Sequence, residues 1–80
     1  MSNSTLAQAL PGEKHIVLNI APEQAALKSR LYALGLIPGS QVEVLRFAPL
    51  GDPMQIKVGG CFISIRKAEA EIISLEQQES

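Results

Sequence analysis

The chain is poor in the residues that catalysis, disulfide bonding and membrane insertion require. Its 80 residues contain one cysteine, one histidine and one aspartate, and no tryptophan. Nucleophilic machinery of the Ser/His/Asp or Cys/His kind needs several such groups converging, so a set this sparse argues against an enzyme. Cys61 alone forms no internal disulfide and supplies no cysteine-based zinc site, which fits a reducing compartment and makes the cytosol the expected location. Apolar runs are five residues or fewer, and the Met-Ser-Asn-Ser-Thr start lacks the basic and apolar stretches of a signal peptide. Neither membrane insertion nor export is expected. Charge of one sign is missing too: seven Lys plus Arg stand against eight Asp plus Glu, for a formal net charge of −1. The positive field behind sequence-independent nucleic-acid binding is therefore absent. Two phenylalanines and one tyrosine also serve poorly for the aromatic groove of an SH3-type binder of proline-rich peptides.

What remains is 46% hydrophobic and 19% charged, enough for one small domain over residues 1–80 with its core in about residues 5–76. A domain of this size buries only about 60% of its unfolded surface, which leaves little room for a large cleft. Residues 1–5 and 77–80 read as loose ends. A short turn over residues 6–10 is stopped by Pro11-Gly12. Alternation over Lys14–Ile20 predicts a strand with Ile16, Leu18 and Ile20 on the core face. Pro22 and Glu23 open a helix carrying Leu27, Leu31 and Leu34 on one face, and Gly35 ends it as a left-handed cap with Leu36 folded back on Leu31.

Pro38-Gly39 takes the central positions of a type II turn into a second strand, Gln41–Phe47. The apolar phase of that strand switches near Leu45, which requires a bulge or strong bend. Residues 48–53, with two prolines, form an irregular but ordered loop. Met54–Val58 and Cys61–Ile65 flank Gly59-Gly60, a two-residue hairpin loop. Counting then sets Val58 opposite Cys61, Ile56 opposite Ile63, Met54 opposite Ile65, Lys57 opposite Phe62 and Gln55 opposite Ser64. Residues 66–70 form one helical turn before a last strand at Ile73–Leu75. The fold class is mainly β with one α-helix and five short strands.

Few residues carry chemistry. His15 falls on the polar face of the first strand and is expected to meet solvent; Cys61 is expected to point with Ile63 toward the core. A metal site would have to join His15 to Glu13, Asp52 or Glu43, and no spacing predicts that, so no metal ligand or cofactor is assigned. Gly59-Gly60 lacks the companions of a phosphate loop. The acidic drift from Glu69 to Glu79 reads as a solvated edge. Phe62, paired with Lys57 on the outer face of the hairpin, has two open readings. It anchors a partner, or the N-terminal turn covers it through Leu6 and Leu10. Tyr32 lies off the leucine face, as an exposed amphipathic side chain or a further contact.

The ordered string Leu34-Gly35-Leu36, Pro38-Gly39, Val42, Val44, Pro49, Gly51-Asp52-Pro53, Ile56, Gly60, Arg66 and Ala70 resembles the ferrous iron transport protein A (FeoA) family. The resemblance spans roughly residues 5–76. It implies a small SH3-like five-stranded β-barrel, cytosolic and non-enzymatic, that works with the FeoB-type ferrous iron transporter, a membrane protein with a G-protein domain. Similar domains end the DtxR-like metal-dependent repressors, so a stand-alone relative of that C-terminal domain is one alternative and a small-barrel nucleic-acid binder another. The family is loosely associated with transition metals, but the resemblance carries no ligand set over. The candidate partner contacts are Phe62, Lys57, Leu50 in the Gly-Asp-Pro loop and Tyr32; weak homo-oligomerisation stays open.

Overall fold

The computed structural model describes residues 4–76; the ends read above as loose at residues 1–3 and 77–80 lie outside the described residues. A 3₁₀ turn at Leu6–Gln8 leads into β1 (Lys14–Ile20), α1 (Ala25–Ala33), β2 (Gln41–Phe47), β3 (Met54–Val58), β4 (Cys61–Ile65), α2 (Lys67–Ala70) and β5 (Ile73–Leu75). The strands lie in the order β4-β3-β2-β1-β5, each antiparallel to its neighbour. Among the described residues β4 and β5, the two ends of the order, do not pair with each other.

Local chemistry explains most of the turns. Gly35 has φ +99°, its N–H donates to the Tyr32 carbonyl at 2.9 Å and the Leu36 N–H donates to the Leu31 carbonyl at 3.0 Å. This is the Schellman arrangement, and it puts Leu36 beside Leu31 in the core. Gly39 has φ +93° and the Ser40 N–H donates to the Ile37 carbonyl at 3.0 Å, as a type II turn requires. The turn is stitched to β1, with the Val17 N–H on the Ser40 carbonyl at 2.9 Å and the Gly39 N–H on the Val17 carbonyl at 2.8 Å. In the β3–β4 hairpin all five residue pairs fall as counted, and Gly59 and Gly60 both have positive φ. The β2–β3 register shifts between Val44 and Arg46, the bulge expected at Leu45.

Several expectations need correction. In β1 the buried residues are Val17 and Ile20, while Leu18 is 41% exposed. The cause is a register shift against β5 between Val17 and Asn19, which inverts the alternation halfway along the strand. The helix begins at Ala25; Pro22 and Glu23 belong to a turn in which the Gln24 N–H donates to the Ala21 carbonyl at 3.3 Å. Of its leucines only Leu31 is fully buried. The N-terminal segment is held from Ser4 onward, because Thr5 bridges to Ser74 and the Leu75 N–H donates to the Ser4 carbonyl at 2.8 Å. Leu6 thereby joins Val17, Ile20, Leu31, Leu36, Val42, Val44, Met54, Ile56, Ile65, Ile73 and Leu75 in the core.

Candidate partner-binding surface

Side-chain parity along the hairpin determines which residues reach its outer face. Met54, Ile56 and Val58 turn inward and are buried, so Gln55 and Lys57 turn outward, and their cross-strand partners Ser64 and Phe62 turn with them. Phe62 is 72% exposed, and the Lys57 Nζ stands 5.7 Å from its ring centroid. That cation–π contact orients the ring without covering it. The N-terminal turn does not cover it either: Leu6 is buried in the core and Leu10 is itself 59% exposed. Beside the ring, Leu45, Gln55, Ile63 and Ser64 complete a shallow depression of about 210 Å³.

The other two candidates stand on different elements. Leu50, at the tip of the β2–β3 loop, is 96% exposed. The loop beneath it is ordered by the Ala48 N–H on the Pro53 carbonyl at 3.0 Å, by the Gly51 N–H on the Ala48 carbonyl at 2.7 Å, and by Asp52 Oδ1, which accepts the Lys67 N–H at 2.9 Å. Tyr32 on α1 is half-buried against the core, with the Lys28 Nζ 5.5 Å from its ring centroid, so it is less exposed than its helical position suggests. The structure joins Phe62 to Lys57; Leu50 and Tyr32 are separate features.

A second surface was not assigned from the sequence. An open groove of about 860 Å³ runs between the end of α1 with its Gly35–Ser40 reversal and the tip of the hairpin. Leu34 and Ile37, 37% and 45% exposed, supply its apolar wall, and Lys14, Glu43 and Lys57 bring charge of both signs to it. Cys61 lines it as well. Contrary to expectation this cysteine is exposed, although its cross-strand partner Val58 is buried: β4 is an end strand of the order, and Cys61 at its start lies against the open groove.

Two polar pairs also differ from expectation. His15 is not on a solvent-facing side: its side chain is 17% exposed, Nε2 lies 3.0 Å from Glu13 Oε1, and Nδ1 is buried with no hydrogen-bond partner. The Leu10 N–H donates to the same Glu13 oxygen at 2.9 Å. That backbone bond, then the His15 contact, holds the Glu13 carboxyl below the ordinary glutamate range. Glu69, read as part of a solvated acidic edge, is buried: its Oε2 accepts from Arg30 Nη1 and its Oε1 accepts the Arg66 N–H at 2.9 Å. Among the described residues no three His, Cys, Asp or Glu side chains gather where they could hold a metal ion. Among the same residues no helix is long and apolar enough to cross a membrane.

The family model of the FeoA domain matches residues 4–77. The chain belongs to the FeoA family. The solution structure of FeoA from Chlorobium tepidum is 39% identical, with 90% of this chain and 68% of that one covered and a TM-score of 0.80. A FeoA-like protein from Clostridium acetobutylicum is 27% identical, with 100% and 93% covered and a TM-score of 0.88. The zinc complex of Stenotrophomonas maltophilia FeoA, a prokaryotic SH3 domain protein, shares the fold at 24% identity, with 91% and 89% covered and a TM-score of 0.79. The five antiparallel strands and one main helix are thus an SH3-like arrangement, as the motifs implied. FeoA membership implies a role in ferrous iron transport, in a family of small accessory domains.

Proposed function

We propose that this FeoA chain is a non-enzymatic accessory protein that docks on the cytosolic part of the FeoB-type ferrous iron transporter and modulates it. The observation that carries the docking surface is Phe62: a large aromatic side chain, 72% exposed on a rigid hairpin and steadied by Lys57. An aromatic on a regular strand loses little freedom when a partner covers it, which is the character of an interface anchor. Leu50 on the β2–β3 loop and Tyr32 on α1 are further, separate contacts in this proposal. The sparse nucleophilic residues agree with modulation by contact.

Replacing Phe62 with alanine tests the surface. The variant should keep the far-ultraviolet circular dichroism of the parent, because the ring lies outside the core. Co-purification with the transporter should weaken by about tenfold or more, the loss expected of an anchor residue. Unchanged binding removes Phe62 from the site. Modulation is a separate measurement: GTP turnover by the transporter's G domain should differ with and without the chain, and equal rates would reject modulation of hydrolysis.

A further inference from the structure

The two ends of the sheet are finished differently. At the β5 end the N-terminal segment covers the edge, through the Thr5–Ser74 bridge and the Leu75 N–H on the Ser4 carbonyl at 2.8 Å. At the β4 end no strand follows, and among the described residues no hydrogen bond reaches the outward backbone of β4. Hairpin geometry identifies the groups involved. A two-residue loop makes Val58 and Cys61 a hydrogen-bonded pair, so bonds to β3 alternate at Cys61, Ile63 and Ile65. The N–H and C=O of Phe62 and Ser64 therefore point away from the sheet.

Natural sheet edges normally carry something that prevents pairing, such as a charge, a proline or a bulge. Strand β4 reads Cys-Phe-Ile-Ser-Ile, has none of these side chains and keeps a regular register along its length. We propose that β4 pairs antiparallel with β4 of a second copy of this chain, about a two-fold axis at Ile63. This register sets Phe62 opposite the second copy's Ser64 and Ile63 opposite its own equivalent. All four outward backbone groups of each strand are then satisfied in four hydrogen bonds across the axis. An uncharged strand also meets no like charge in its twin, and a net charge of −1 per chain gives little long-range repulsion. A single strand pair buries far less than a permanent interface does, so the dimer is weak, with a dissociation constant on the order of 0.1–1 mM. The inference does not rest on the transporter reading, since it uses the edge backbone of β4.

Sedimentation equilibrium from about 20 µM to about 2 mM, together with hydrogen exchange of the backbone amides, tests it. The chain should move from monomer to dimer over this range, and the Phe62 and Ser64 amides should gain protection as it does. Ser64→Lys leaves the β3 ladder intact and sets two lysines diagonally across the axis, about 7–8 Å apart, which should weaken the dimer roughly fivefold. A chain that stays monomeric at 2 mM overturns the proposal. So does a dimer that Ser64→Lys leaves unchanged, or protection of these two amides that arises only when the transporter's cytosolic part is added.

Discussion

Arg30 and Glu69 join α1 to α2 across 39 residues of sequence, and removing Arg30 should be unusually costly for a change at a mostly exposed position. The guanidinium side chain is 62% exposed, but the carboxylate it meets is only 10% exposed. Arg30→Ala leaves that carboxylate where water reaches it poorly, with the Arg66 N–H as its remaining partner. Fully exposed pairs contribute about 0.2–1 kcal/mol, and breaking a fully buried pair costs about 3–5 kcal/mol. With one partner buried and the other solvated, about 2 kcal/mol is expected. Glu69→Gln keeps the shape and removes the charge, so it should cost about 1 kcal/mol. The double variant should cost no more than Glu69→Gln alone, about 1 kcal/mol, because once the Glu69 charge is gone Arg30 has none to compensate; the coupling is then about 2 kcal/mol. In a domain of this size 1 kcal/mol moves the melting temperature by about 4–8 °C, so Arg30→Ala should melt about 10 °C lower. Urea unfolding of the four proteins reads the cycle directly. Additive losses, or an Arg30→Ala effect within about 0.3 kcal/mol of the parent, would refute this account of Glu69.

Gly35→Ala isolates the cost of the left-handed cap. A methyl group there would meet only the Val58 Cγ1, at an ordinary 3.5 Å, so the penalty is backbone strain of about 1–2 kcal/mol, readable in urea unfolding. Glu13 predicts a pH effect of definite sign. Its folded-state pKa is lowered, first by the Leu10 N–H and then by His15. Its stabilising contribution is therefore present above the ordinary glutamate value and is lost as pH falls through the lowered one. Carboxyl NMR should place its titration below the ordinary value. Glu13→Gln should flatten the acid limb of the stability profile, and an unchanged limb would remove Glu13 from it.

The features legible in the sequence are those determined within a few residues or by parity. Gly35 and Gly39 ended the helix and turned the chain because only their φ angles permit it, and counting outward from Gly59-Gly60 was enough to put Phe62 outside the core. The misplaced residues depend on distant parts of the chain. The face of β1 inverts because of its pairing with β5, and Glu69 is buried because its partner comes from α1. The groove fails for a third reason. Helical periodicity assigns Leu34 to the core along with Leu27 and Leu31, and the cap is expected to bring Leu36 there as well. The cap at Gly35 reverses the chain between them, however, and a reversal can send only part of an apolar run inward. Leu36 takes that place, folded back on Leu31, and Leu34 and Ile37 are left on either side of it at the surface. An apolar run that spans a left-handed glycine should therefore be read as one core residue flanked by exposed ones, which here makes the wall of the groove.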